Sequence, residues 1–142
     1  MKVSIKRPVN WNYIQDLRKN DWKLMKGDFG ELIVKELLEK KGITLERMEK
    51  WGAGLPDFKV KGHSAMIEVK SHKNTNKGDI PSKPPVWQRN HFIPLIKMGW
   101  KIFVAHPQLF LNGDKSEVIC NEINWYAFTD IGKVLNLENS PF

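Results

Sequence analysis

The chain has 142 residues, of which 41% are hydrophobic and 27% charged, and 23 basic against 16 acidic side chains give a net charge of +7. This length favours one domain, and the composition excludes a disordered or fibrous protein. The single cysteine, Cys120, excludes an internal disulfide framework and a cysteine-rich zinc site. No apolar stretch approaches the ~18 residues of a membrane span and the N-terminus lacks a signal-peptide pattern, so we expect a cytoplasmic protein with no membrane partner.

Hydrophobic periodicity and turn residues predict the elements of the first half of the chain. These are helices at 10–25 and 28–41, a strand at 43–48, a turn at 51–56, and strands at 57–61 and 64–70. Gly42 is well placed to end the second helix. The last two strands flank Gly62-His63, which is typical of a β-hairpin.

The second half begins with an irregular stretch, 71–85, that contains three prolines and is expected to be functional or disordered. The predicted elements that follow are a helix over 87–99 that must accommodate Pro94, a strand at 100–106, a turn at Asn112-Gly113, a strand at 117–120, and a short last helix capped by Thr129. This order predicts an α/β fold in which helices flank a central mixed β-sheet, with residues 1–142 in a single domain.

The excess charge lies in residues 59–101, where nine basic and two acidic residues give +7, so the rest of the chain sums to zero. Such a cationic field attracts polyanions, of which nucleic acid is the commonest. A solvated lysine-rich surface would look the same on charge alone. The candidate DNA-binding residues are His72, Lys73, Lys77, Lys83 and Arg89.

A two-residue hairpin loop would place Asp57 directly opposite Glu68, with their Cβ atoms ~5 Å apart and Lys70 on the same face. Two adjacent carboxylates raise the pKa of one of them or require a cation. Lys70 supplies part of the required positive charge, and a divalent metal supplies it better, since the carboxylate oxygens suit Mg²⁺. A bound metal can activate water and offset charge on a phosphodiester, while Lys70 could steer or deprotonate the water or stabilise the phosphate. Glu31, in the first turn of the 28–41 helix, could reach the same metal directly or through water.

Each of these residues also has an ordinary structural interpretation. Glu31 fits a capping box with Asp28, and Glu68 and Lys70 could form an exposed salt bridge. Trp51 and Trp87 flank the proposed site, where they could stack on a base, although packing in the core or an interface is the more common role. The functional interpretation depends on the conjunction of the motifs.

The pieces Gly30-Glu31, Pro56-Asp57 and Glu68-Val69-Lys70 together resemble the signature of the PD-(D/E)XK nuclease superfamily. Gln88, in the following helix, is similar to the glutamine often found there. The resemblance spans about residues 27–106 and implies a restriction-endonuclease-like α-β-β-β-α-β core. The predicted helix 10–25 would precede that core, and the strands and short helix of 107–142 would follow it.

The resemblance implies a metal-dependent DNA endonuclease that hydrolyses phosphodiester bonds with Mg²⁺, for which Mn²⁺ would substitute. The implied catalytic residues are Glu31 in an accessory role, Asp57, Glu68, Lys70 at the scissile phosphate, and Gln88 as a positioning residue. The implied metal ligands are Glu31, Asp57, Glu68 and the Val69 carbonyl. The chain has no phosphate-binding Gly-x-x-x-x-Gly-Lys-Ser/Thr loop, so we expect no nucleotide cofactor.

Two branches of the superfamily are similar to this chain: archaeal-type Holliday junction resolvases, which are homodimers, and VRR-NUC or phage-type nucleases. The residues before Asp57, 51–56, include no serine of the kind that resolvases often carry. A homodimer is expected, because two sites suit paired cuts. The alternatives to a general endonuclease are a Holliday junction resolvase, a non-catalytic nucleic-acid-binding module on the same fold, and a structural protein whose acidic cluster is a salt-bridge network.

Overall fold

The computed structural model describes residues 3–6, 22–48, 51–71, 86–111 and 117–142, and within these ranges it contains two helices and seven strands. The helices are α1 (Trp22–Lys40) and α2 (Val86–Lys97). The strands are β1 (Val3–Lys6), β2 (Leu45–Arg47), β3 (Phe58–Val60), β4 (Ala65–Val69), β5 (Lys101–Leu111), β6 (Glu117–Phe128) and β7 (Val134–Leu137).

One mixed sheet holds these strands in the order β1-β6-β5-β4-β3-β2, and β7 also pairs with β6. Strands β4 and β5 are parallel, whereas the other described pairs are antiparallel. Parallel neighbours need a crossover connection, and α2 lies in it. The predicted α/β class, a central mixed sheet flanked by helices, is confirmed. Within the described residues, neither helix is both long and apolar enough to cross a membrane.

Two hydrophobic layers lie on opposite faces of the sheet, because side chains alternate along each strand. In β4, Ile67 belongs to the layer that contains Val34 of α1, and its neighbour Met66 belongs to the layer that contains Phe92 of α2. Phe92 also meets Phe128 of β6 edge-to-face, with ring centroids 5.4 Å apart. Each fully buried apolar side chain of this kind contributes roughly 1.5–3 kcal/mol to folding.

The β3–β4 hairpin has the register that the sequence predicts. Phe58 pairs with Ile67 and Val60 with Ala65. Residues 61–64 connect the strands, so the connection is longer than the predicted two-residue loop, but the pairing is unchanged. Asp57 and Glu68, the next residues along the two strands, therefore share one face, and this is the α2 face because Met66 lies on it.

Helix α1 begins earlier than predicted, and Glu31 consequently lies in its middle and not in a first turn. The predicted capping box with Asp28 is wrong, because the helix continues through both residues. Gly30 is accounted for by packing: a Cβ atom at this position would lie 2.6 Å from Oγ and 3.0 Å from Cβ of Ser71. The lack of a side chain at Gly30 lets α1 approach the end of β4. Of the predicted helix 10–25, residues 10–21 lie outside the described residues.

The C-terminal third differs from the prediction. Strand β6 continues to Phe128 and does not end at Cys120, since its later residues alternate between the two buried faces. The predicted last helix is wrong: the Thr129 hydroxyl donates to the Lys133 carbonyl and accepts from the Lys133 N–H, which closes a turn between β6 and β7. Helix α2 continues through Pro94. Strand β1 was not expected, and the Asn112-Gly113 turn lies outside the described residues.

Replacing Gly30 with alanine should lower the free energy of unfolding by about 1–3 kcal/mol, because the added methyl group must displace α1 or Ser71. This loss should appear although alanine is the better helix former by ~1 kcal/mol. Urea unfolding followed by circular dichroism measures the difference.

The double variant Gly30→Ala with Ser71→Gly tests the cause, because it removes the two nearest of the three atoms that the methyl group would meet and leaves only Cγ1 of Val69, at 3.3 Å. Adding Gly30→Ala to the Ser71→Gly variant should therefore cost much less stability than adding it to the wild-type protein. A Gly30→Ala variant as stable as the wild-type protein would contradict the proposed close approach.

Candidate active site

The hairpin places two carboxylates at one end of the sheet. Asp57 directly precedes β3, and Glu68 lies near the end of β4, where its side chain is only 2% exposed. The Val69 N–H donates a 2.7 Å hydrogen bond to Oδ2 of Asp57, and the Met48 N–H donates a 3.0 Å bond to the Asp57 carbonyl. These bonds hold Asp57 between the ends of β2 and β4.

Glu68, Lys70 and Gln88 form one hydrogen-bonded cluster. The side-chain amide of Gln88 donates to Oε2 of Glu68 at 2.9 Å and accepts from Nζ of Lys70 at 3.2 Å. Nζ of Lys70 also lies 3.5 Å from Oε2 of Glu68. The first turn of α2 is thereby joined to the end of β4, and the acid and the ammonium group fix the orientation of the amide. Gln88 is thus brought to the predicted site, and its positioning role remains a prediction.

Glu31 reaches the same end of the sheet from α1 but pairs with Arg47, a residue that the sequence analysis missed. Nη1 of Arg47 donates to Oε2 of Glu31 at 2.8 Å, and the guanidinium group lies 5.2 Å from the centroid of the Phe58 ring. The carboxyl group of Glu31 also lies within hydrogen-bonding reach of Asp57. No local pattern marks Arg47, because its contact with Glu31 depends on how α1 packs beside β2.

Burial changes the protonation of two of the acidic groups, Asp57 and Glu31. Burial raises the pKa of Asp57 to about 7, and the negative charge of Glu68 adds to the effect. Burial also raises the pKa of Glu31 to about 7, although the hydrogen bond from Arg47 opposes the rise. Among the described residues, the three carboxyl groups of this site pair with two cationic side chains, Lys70 and Arg47, and an additional cation would stabilise the charged forms.

The donor set fits a hard divalent cation that keeps several waters. In the described ranges, no three or more His, Cys, Asp and Glu side chains are grouped so that they could hold a metal ion by themselves. Asp57 and Glu68 can supply two carboxylate ligands, and Mg²⁺ is commonly bound by one or two carboxylates plus water and phosphate oxygens. The backbone of Val69 lies close to these two carboxylates, because the Val69 N–H donates a hydrogen bond to Asp57. The Val69 carbonyl and Glu31 remain predicted ligands.

The predicted DNA-binding residues are only partly described. His72, Lys73, Lys77 and Lys83 lie outside the described residues. Arg89 is partly buried in α2, and its Cδ atom would lie 3.9 Å from a Cβ atom added at Gly132, in the turn between β6 and β7.

Comparison with known proteins does not identify a family for this chain. The chain matches no family model, no curated protein and no solved structure. The chemistry of the site is therefore the basis for any functional proposal.

The pKa of Asp57 predicts a specific dependence of stability on pH. Its folded value of about 7 lies above the ordinary value of 3.8, so between about pH 4 and pH 7 the folded protein retains a proton that the unfolded chain releases. Stability should therefore fall as pH rises through this window. Glu68 and Glu31 are the titratable groups that act on Asp57, and they in turn pair with Lys70 and Arg47. Glu31, with its raised pKa, contributes in the same direction.

Urea unfolding in EDTA at pH 5 and pH 8 measures this effect. The free energy of unfolding of the wild-type protein should fall between pH 5 and pH 8. In Asp57→Asn this fall should be smaller by on the order of 2 kcal/mol. Asp130→Asn, the same substitution at an exposed turn position, is the matched control and should leave the fall unchanged. An equal fall in Asp57→Asn and the wild-type protein would contradict the assignment.

Proposed function

We propose that this protein is a Mg²⁺-dependent DNA endonuclease of the PD-(D/E)XK type that hydrolyses phosphodiester bonds. The observation that carries the proposal is the convergence of Asp57, Glu68, Lys70 and Gln88 at one end of the β3–β4 hairpin. The element order α1-β2-β3-β4-α2-β5 supports it, because the resemblance implies a restriction-endonuclease-like core with that order.

In this proposal the metal is held by Asp57 and Glu68, with Glu31 and the Val69 carbonyl in accessory positions. The described nitrogen donors use Oδ2 of Asp57 and Oε2 of Glu68, so Oδ1 and Oε1 are the candidate ligand atoms. A bound Mg²⁺ would promote ionisation of a water molecule and offset charge on the phosphate.

Lys70 and Gln88 are suited to orienting the substrate. An ammonium group has three N–H donors. One is directed to Gln88 and a second can serve the ion pair with Glu68, so within the described part of the chain a third remains for a phosphate oxygen. Gln88 fixes the direction of this ammonium group and of the Glu68 carboxylate, since it contacts both. Such preorganised charges act most strongly where water is largely excluded, and the side chain of Lys70 is only 18% exposed.

The distribution of charge supports DNA as the substrate. The segment that supplies Glu68, Lys70 and Gln88, residues 59–101, carries nine basic and two acidic residues. A polyanion drawn to this segment would be brought to the acidic pair, where the metal would reverse the local charge.

Cleavage of supercoiled plasmid tests the proposal. With Mg²⁺ the wild-type protein should nick or linearise the plasmid, and with EDTA it should not. Asp57→Asn, Glu68→Gln and Lys70→Met should each slow cleavage by about 100-fold or more, and Gln88→Ala by about tenfold, since each removes a charge or an orienting contact at the phosphate.

The controls are Asp130→Asn and Lys133→Met, which make the same chemical changes at exposed positions of the turn between β6 and β7. Both should cut at the wild-type rate, and Mn²⁺ should replace Mg²⁺. Cleavage that persists in EDTA or in Asp57→Asn would refute the assignment. DNA binding without cleavage under all conditions would indicate the non-catalytic module.

We also propose that two copies act together, because one active site cuts one strand at a time. Sedimentation equilibrium at micromolar concentration should give a mass near twice the 16.5 kDa of one chain. A protein that has the mass of one chain in solution, and that also binds DNA as one chain, would contradict this part of the proposal.

A further inference from the structure

Two tryptophans on the segments that join the acidic cluster are exposed to solvent, Trp51 by 65% and Trp87 by 55%. Neither ring packs in the core, so of the two packing roles expected for these tryptophans only an interface is compatible with their exposure. A single exposed apolar side chain is ordinary on a protein surface. Two indole rings next to a candidate phosphodiester site are less easily explained, because tryptophan has a large apolar area to bury.

Trp51 is tied to the acidic site through Met48. The Trp51 N–H donates a 2.9 Å hydrogen bond to the Met48 carbonyl, and the Met48 N–H donates a 3.0 Å bond to the Asp57 carbonyl. The bend of residues 51–56 therefore begins at Trp51 and leads into Asp57, and both of these residues are bonded to Met48. The backbone of Trp51 is held by the same residue that holds Asp57.

Trp87 is tied to the site through the next residue, Gln88, whose amide contacts both Glu68 and Lys70. One helical turn after Trp87, the exposed His91 lies against the bend: a Cβ atom on Gly54 would overlap the His91 ring, and Gly54 has a φ of +86°. The bend that carries Trp51 and the helix that carries Trp87 are therefore in contact at the end of the sheet that holds the carboxylates.

We propose that Trp51 and Trp87 bind unpaired nucleobases by stacking, so that the preferred substrate is DNA with a single-stranded segment beside the bond that is cut. This inference rests on the proposed nuclease function. Bases inside a duplex are covered on both faces, whereas an unpaired base can stack on an indole ring. Exposed aromatic side chains combined with a cationic segment are the usual means of holding single strands, and both lie in this part of the chain.

Binding is measured by fluorescence anisotropy in EDTA, with a fluorescein-labelled 12-nucleotide single strand and a blunt 20-base-pair duplex. Trp51→Ala and Trp87→Ala should each weaken binding of the single strand about tenfold, from the usual size of base–aromatic stacking, and duplex binding less than twofold. Trp51→Phe and Trp87→Phe should bind within about threefold of wild type, because the ring is kept.

The matched controls are Met98→Ala and Ile131→Ala, which truncate side chains that are 75% and 70% exposed elsewhere on the surface. Both should bind like the wild-type protein. A strand that carries 2-aminopurine gives an independent readout, since its fluorescence falls when the base stacks. The quenching should be reduced in both Trp→Ala variants and retained in the Phe variants.

The two proposals can fail separately. If wild-type protein cuts plasmid with Mg²⁺ but both Trp→Ala variants bind single strand within twofold of wild type, the stacking proposal is overturned and the nuclease proposal is retained. The stacking proposal would also be overturned if the Trp→Ala variants lost as much affinity for the duplex as for the single strand. If no DNA is cut but single-strand binding and quenching depend on the two rings, the stacking site stands and the nuclease function fails.

Discussion

The pairing register of the β3–β4 hairpin is the constraint on which the candidate site depends. Because Phe58 pairs with Ile67, Asp57 and Glu68 lie opposite one another on the α2 face, and the Val69 N–H is directed to Asp57. A shift of one residue would turn Glu68 toward the α1 face and bring Val69 opposite Asp57. The large apolar side chains that β3 and β4 bury on the α1 face oppose such a shift.

The acidic cluster is held in place at a cost to folding stability. Burial raises the pKa values of Asp57 and Glu31, which means that the folded chain resists carrying all the negative charges that these positions place together. The two hydrophobic layers on either side of the sheet supply the stability that offsets this cost. Local destabilisation of this kind is expected where a fold is arranged to bind a cation and not only to be stable.

The features that the sequence predicted well are those set by local patterns. The α/β class and the register that joins Asp57 to Glu68 follow from alternation and turn residues within short segments. The reason for Gly30 and the pairing of Arg47 with Glu31 were missed because each depends on a contact between elements far apart in the chain. The nuclease interpretation itself remains a prediction, because it concerns a reaction and not the position of a residue in the fold.

The separation of Gln88 from Glu68 by 20 residues has an entropic consequence. The entropic cost of bringing together two groups of an unfolded chain rises only with the logarithm of their separation, by about 0.6 kcal/mol for each doubling. Doubling the distance in sequence between the amide and the acid would therefore add little to the cost of forming their hydrogen bond. The contact depends far more on where β4 and α2 pack than on how many residues separate the two side chains.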